Sequence, residues 1–140
     1  MQQVEEVLLI DDDPASLFLH DRLMRKCDRI SVVHKVASAK EALDWLAERK
    51  VRKVPLPQII LIDVNMPGMN AWEFFRACLI ADRIDPSFTS VFLITNLLLP
   101  DIQAKAEEFK TKCGIVDVVE KMLTTEKLHT MIDQHHERLA

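Results

Sequence analysis

No two cysteines in this sequence stand at metal-ligand spacing. Cys27, Cys78 and Cys113 are far apart, odd in number and set among apolar helical patterns. That fits buried, reduced thiols in a cytosolic protein. A basic excess is also missing. Eighteen Lys and Arg face 22 Asp and Glu, a formal net charge of -4, which excludes the electrostatic footprint of a nucleic-acid binder. The short basic cluster Arg49, Lys50, Arg52 and Lys53 reads as a solvated linker. No apolar run reaches the ~18 residues that a membrane span needs. The polar, acidic start from Met1 to Glu6 is unlike a signal peptide. There are no repeats and no low-complexity tracts. A chain of 140 residues, 49% hydrophobic, fits one domain over residues 1–140. It is expected to be cytoplasmic, with no nucleic-acid or membrane partner.

What is present is an alternation. Val7–Ile10, Ile59–Ile62, Val91–Ile94 and Val116–Val119 are short, mostly β-branched or Leu-rich runs, as strands covered on both faces should be. Ser31–Val36 is a weaker fifth. Helical patterns lie between them. Asp13-Pro14 opens the first as cap and first residue, with Leu19, Leu23 and Cys27 as its apolar stripe. Ser38 to Glu41 reads as a capping box before Ala39, Ala42, Leu43 and Leu46. Asn70 caps the third, with Glu73 three residues on and Trp72, Phe75 and Leu79 inward. Pro100 begins the fourth, over Ile102, Ala106, Phe109 and Cys113. Thr124 or Thr125 opens the last, with Leu128, Met131, Ile132, His135 and Leu139 aligned. Strand followed by helix, five times over, predicts an α/β fold: a doubly wound parallel sheet with helices on both faces.

Ligands of such folds bind outside the carboxyl ends of the strands. Asp11, Asp12 and Asp13 follow the first strand, Asp63 ends the third, Thr95 and Asn96 end the fourth, and Lys121 ends the fifth. Crowded carboxylates raise one another's pKa unless a cation intervenes. Mg²⁺, a hard ion that takes one or two carboxylates and keeps several waters, suits Asp11, Asp12 and Asp63. With no His or Cys nearby, zinc is not expected. An ammonium and a hydroxyl beside a metal-bound carboxylate suit an incoming phosphoryl group, whose transfer demands positioning and charge neutralisation. Asp63, alone at the centre of the sheet edge, is the best acceptor. Taken singly, Asp11 to Asp13 could be a helix cap, Asp63 to Gly68 a turn, and Lys121 a solvated lysine.

The motifs Leu8-Leu9-Ile10-Asp11-Asp12-Asp13-Pro14, Leu61-Ile62-Asp63-Val64-Asn65-Met66-Pro67-Gly68, Phe92-Leu93-Ile94-Thr95-Asn96 and Gly114 through Lys121 resemble the receiver domain of two-component response regulators, over nearly the whole chain. The resemblance implies a flavodoxin-like sheet in the order 2-1-3-4-5 and a phosphorelay signalling role. It implies that Asp63 is the phosphorylated aspartate and that Asp11 and Asp12 are the acidic pair, Asp12 binding Mg²⁺ directly and Asp11 through water. It makes the Asn65 carbonyl a further metal ligand, Thr95 the switch hydroxyl and Lys121 the phosphoryl-binding lysine. The donor would be a histidine kinase or a histidine phosphotransfer protein. The domain would catalyse only its own phosphorylation and dephosphorylation, and would signal to a downstream protein. The output face would be the fourth helix, fifth strand and last helix, with Ile102, Lys105, Glu108, Val118 and Glu120 as candidates. Many receivers dimerise through that face; no residue here decides whether this one does. The chain would act as a stand-alone shuttle or as a piece of a longer regulator.

Three positions depart from the family pattern. Met122 replaces the usual proline after the lysine, so the Lys121-Met122 bond is expected to be trans. Val118 replaces an aromatic residue three positions before the lysine. Ala71 replaces a glycine, which would alter the loop if that position uses φ > 0. Leu97, two residues after Thr95, would shield an aspartyl phosphate from water. The pair His135-His136 reads as a solvated helix face. Two other readings are open. The run Asp11-Asp12-Asp13 also fits the Asp-x-Asp signature of haloacid-dehalogenase-like phosphatases, with Asp11 as nucleophile and Asp13 as acid/base, though Asp63 would then lack a role. A degenerate receiver, binding partners without phosphorylation, is the other.

Overall fold

The structure, a computed structural model, describes residues 2–140. Five strands and five helices alternate. They are β1 (Val4–Ile10), α1 (Pro14–Arg25), β2 (Ile30–Val36), α2 (Ala39–Val51), β3 (Ile59–Asp63), α3 (Ala71–Ala81), β4 (Ser90–Thr95), α4 (Pro100–Cys113), β5 (Ile115–Glu120) and α5 (Thr125–Leu139). The strands form one sheet in the order β2-β1-β3-β4-β5, and every pairing is parallel. This is the doubly wound, flavodoxin-like arrangement that the alternation and the motifs imply. Among the described residues no helix is long and apolar enough to cross a membrane.

The strand period of two divides the core. Leu8, Ile10, Ile60, Ile62 and Leu93 point to one face, where Leu46 of α2, Phe75 of α3 and Phe109 of α4 cover them. Val7, Leu9, Ile59, Leu61, Phe92 and Ile94 point to the other, against Met24 of α1 and Leu128 and Ile132 of α5. Both faces of β1, β3 and β4 are therefore apolar. This is why their sequences are continuous hydrophobic runs rather than alternating ones.

Helix starts follow the residue types. Asp13 Oδ1 accepts the Ala15 N–H at 3.1 Å, with Pro14 next in the chain. Asn70 and Glu73 form a complete capping box. Thr124 Oγ1 accepts the Lys127 N–H at 3.1 Å. The Ser38 box closes differently from expectation. Ser38 Oγ accepts the Glu41 N–H, but the Glu41 carboxylate reaches the Ala37 N–H, one residue earlier.

Several apolar stripes are turned from their predicted lines. On α1 the buried residues are Ser16, His20, Asp21 and Met24, while Leu19 is exposed and Cys27, beyond the helix, is only half-buried. The inward polar groups find partners: Asp21 pairs with Arg25 and Lys35, so burial without apolar character is tolerated there. Leu79 on α3 and Leu139 at the end of α5 are also exposed. On α3, Trp72 and Phe75 are buried as predicted, and Phe74 and Cys78 take the inner face in place of Leu79. Ile102 and Val118, expected on the output face, lie in the core with Phe109. Lys105, Glu108 and Glu120 do face outward. His135 is not solvated either. It is buried, with its Nδ1 2.6 Å from Ser90 Oγ.

Candidate functional site

The carboxyl ends of β1, β3, β4 and β5 converge at one sheet edge, and the register explains how. Ile10 pairs with Ile62, Asp63 with Ile94, and Thr95 with Glu120. Asp63 ends the central strand, Asp11 and Asp12 follow β1, and Lys121 follows β5. One carboxylate oxygen each from Asp11, Asp12 and Asp63 lies within 4.8 Å of the others. Asp11 and Asp63 are buried, and Asp12 is half-buried at the mouth. The predicted acidic cluster is thus assembled.

Lys121 enters it from the side. Its buried Nζ stands 3.0 Å from Asp11 Oδ2 and 3.4 Å from Asp63 Oδ2. The buried Asp11 Oδ2 is held by this ion pair. Its other oxygen accepts the Asp13 N–H at 2.9 Å. Asp63 Oδ1 accepts the Asn65 N–H at 3.2 Å.

The electrostatics follow from burial. Desolvation, and then the charge of Asp11, raise the Asp63 pKa to about 6, against the opposing pull of Lys121 and the Asn65 N–H. For Lys121, burial disfavours the ammonium. Contact with Asp11 and the charges of Asp63 and Asp11 outweigh it, and the pKa rises. One ammonium does not balance three carboxylates at this range. Three carboxylates facing one ammonium, and the raised Asp63 pKa, mark a site short of positive charge. The all-oxygen donor set of Asp11, Asp12 and Asp63 fits a hard divalent cation such as Mg²⁺.

The other predicted residues sit as follows. Thr95 is buried, and its hydroxyl is occupied with the loop: Oγ1 donates to the Leu97 carbonyl at 3.2 Å and accepts the Leu97 N–H at 3.3 Å. It is not bonded to Asp63. The Lys121-Met122 bond is cis, contrary to the trans bond that the residue types predict. Tertiary bonds grip this segment on both sides, Lys121 N–H to the Thr95 carbonyl and Leu123 N–H to His20, and they override the local preference. Ala71 does not need φ > 0. The left-handed residue of the loop is Gly68, at φ 81°, and Ala71 simply opens α3 with its side chain buried. Asp13 is committed as a cap, its Oδ2 accepting from Ser16 Oγ at 2.9 Å and its Oδ1 from Ala15. Those bonds, that of Ser16 first, hold its pKa below the ordinary range, which ill suits an acid/base role for Asp13.

Two residues at the site were not foreseen. Ser16 Oγ lies 3.4 Å from Lys121 Nζ, and His20 holds the Leu123 N–H. Burial pushes the His20 pKa down. Nothing in the sequence pointed to them, because the apolar stripe of α1 suggested the opposite face as the inner one.

Comparison with known proteins agrees with this geometry. The family model of the response regulator receiver domain matches residues 7–133. The crystal structure of a two-component response regulator from Cytophaga hutchinsonii superposes with a TM-score of 0.83 at 31% identity, covering 97% of this chain and 99% of that one. A chemotaxis protein of Vibrio cholerae shares the fold, with a TM-score of 0.71 at 21% identity and coverage of 96% and 98%. Among curated proteins, protein-glutamate methylesterase/protein-glutamine glutaminase 2 of Burkholderia thailandensis is 29% identical over 119 residues, 85% of this chain and 30% of that protein. A two-component response regulator of Oryza sativa subsp. japonica is 39% identical over 70 residues, 50% of this chain and 11% of that protein. The chain spans less than a third of either curated relative. On the family match and the fold together, this chain belongs to the response regulator receiver domain family.

Proposed function

We propose that residues 1–140 act as one receiver domain in which Asp63 accepts a phosphoryl group from a phosphohistidine, carried by a histidine kinase or a histidine phosphotransfer protein. The carrying observation is the Lys121 ammonium lodged between Asp11 and Asp63, at 3.0 and 3.4 Å. In the reaction an Asp63 oxygen attacks phosphorus, the P–N bond to the donor imidazole breaks, and an acyl phosphate forms. Lys121 is placed to bind a phosphoryl oxygen as charge accumulates there. Asp11, Asp12, Asp63 and the Asn65 carbonyl would hold Mg²⁺. That ion supplies the positive charge the three carboxylates need and would favour the ionised, nucleophilic form of Asp63.

Once phosphorylated, Asp63 offers new acceptor oxygens. The Thr95 hydroxyl can leave the Leu97 backbone for one of them, which frees the loop leading into α4. The partner face would be the exposed part of α4, β5 and α5. There a groove of ≈ 560 Å³ runs between β5 and α5, lined by Asp117, Glu120, Glu126 and Lys127 among others. Val118 has no ring to rotate, so the coupling would run through the loop itself.

Incubation with Mg²⁺ and a small-molecule phosphodonor, followed by intact mass, tests this. One phosphoryl adduct is expected, dependent on Mg²⁺ and absent in Asp63→Asn. An adduct that survives Asp63→Asn would move the acceptor elsewhere.

A further inference from the structure

Ser16 and His20 stand one turn apart on the buried face of α1, 5% and 3% exposed, where a core-facing helix usually carries apolar residues. Both reach the segment that holds Lys121. Ser16 Oγ donates to Asp13 Oδ2 and accepts from Lys121 Nζ. His20 Nε2 accepts the Leu123 N–H at 3.2 Å, inside the protein and across 103 positions of chain. Leu123 is buried and precedes the cap of α5, so the helix gives that N–H no partner. A buried amide needs an acceptor, and His20 is the one provided. To accept, Nε2 must be free of a proton, which places the ring proton on Nδ1. Burial, which lowers the His20 pKa, favours that neutral ring.

Lys121 is thereby fixed from two directions. Its own N–H is bonded to the Thr95 carbonyl at 2.8 Å, on the β4 side. Two residues later the chain is bonded to His20, on the α1 side. With the second bond gone, the segment can pivot about the first. An ammonium on a four-carbon stem then moves further than the backbone that carries it.

We propose that His20 is a positioning residue: by accepting the Leu123 N–H it locks the Lys121 segment to α1 and holds the ammonium between Asp11 and Asp63. Only the kinetic consequence rests on reading Asp63 as the phosphoacceptor; the placement of Lys121 stands without it.

The test compares His20→Leu, which removes the acceptor, with His20→Gln, whose amide oxygen can stand near the position of Nε2. Lys121 acylation in the native protein is followed by peptide mass spectrometry, with exposed Lys112 as internal standard. Phosphorylation of Asp63 by a small-molecule donor with Mg²⁺ is measured in parallel. His20→Leu should label Lys121 about tenfold faster and phosphorylate about tenfold more slowly, the effect of losing one buried hydrogen bond. His20→Gln should restore both toward wild type. If His20→Leu does not fold, His20→Asn, whose amide is too short to reach, takes its place against His20→Gln. Lys121 protection unchanged in the folded Leu or Asn variant would overturn the proposal, as would equal loss of protection in His20→Gln. A wild type that takes no phosphoryl group, while Lys121 labelling still follows the acceptor, would refute the phosphoacceptor reading and leave the role of His20 standing.

Discussion

Ser90 Oγ and His135 Nδ1 lie 2.6 Å apart in the core, at the end of β4 opposite the acidic cluster. Arg138 Nε donates to the same hydroxyl oxygen at 3.1 Å. Burial first, then the charges of His136 and Arg138, push the His135 pKa down to about 4. Between pH 4 and ~6.5 the unfolded chain therefore binds more protons than the folded one. The stabilisation from this group is complete above ~6.5 and is lost as pH falls through about 4, up to about 3 kcal/mol in all. His135→Leu should flatten this acid limb in urea unfolding measured from pH 7 to 4, at a cost of ~1 kcal/mol at pH 7 from the abandoned hydroxyl.

Asp63 titrates in the opposite sense. Its folded pKa, about 6, lies above the ordinary 3.8, so the folded state holds the proton longer. The stabilisation from Asp63 is full below 3.8 and disappears as pH rises through about 6. Without divalent cations, Asp63→Asn should be more stable than wild type at pH 8, by up to about 3 kcal/mol. Saturating Mg²⁺ should shrink that difference. Chemical denaturation at pH 5 and pH 8, with and without Mg²⁺, checks both; equal stability of the two proteins in metal-free buffer at pH 8 would remove the charge-deficit account.

Asp12 offers a contrast, because it is half-buried at the mouth. Asp12→Ala should leave the unfolding midpoint nearly unchanged. Mg²⁺ affinity, measured by calorimetry, should fall by at least about tenfold, a loss that even an outer-sphere partner can cause.

The two glycines separate strain from crowding. Both have φ > 0, yet a methyl at Gly68 would meet nothing within 4 Å, whereas one at Gly114 would come within 2.7 Å of the Thr89 carbonyl. Gly68→Ala should cost about 1–2 kcal/mol, the left-handed penalty alone. Gly114→Ala should cost clearly more, because backbone must move. Denaturation midpoints of the two variants decide the order.

Much of this was legible in the residues. The apolar runs of β1, β3 and β4 are continuous because both faces of those strands are covered, and that continuity gives away the sheet. Asp11, Asp12, Asp63, Thr95 and Lys121 reach one edge because each ends a strand or follows one directly. The orientation of α1 was hidden: its inner face is polar, so the Leu19 stripe looked like the core side and is not. The bonds of His20 to Leu123 and of His135 to Ser90 span 103 and 45 positions, and no local pattern reports such distant pairings. The peptide bond after Lys121 was misjudged for the same reason, since its anchors lie on β4 and α1.

The hydrogen bonds at the two ends of β4 also close a ring. From Ser90 the path runs along β4 to Thr95, across to Lys121 through a 2.8 Å bond, down α5 to His135, and back to Ser90 through a 2.6 Å bond. The hydroxyl of Thr95 is not a link in this ring, but its carbonyl is. Rotation of the side chain toward a new acceptor therefore leaves the frame of β4 and α5 intact, whereas displacement of the Thr95 backbone has to break it open.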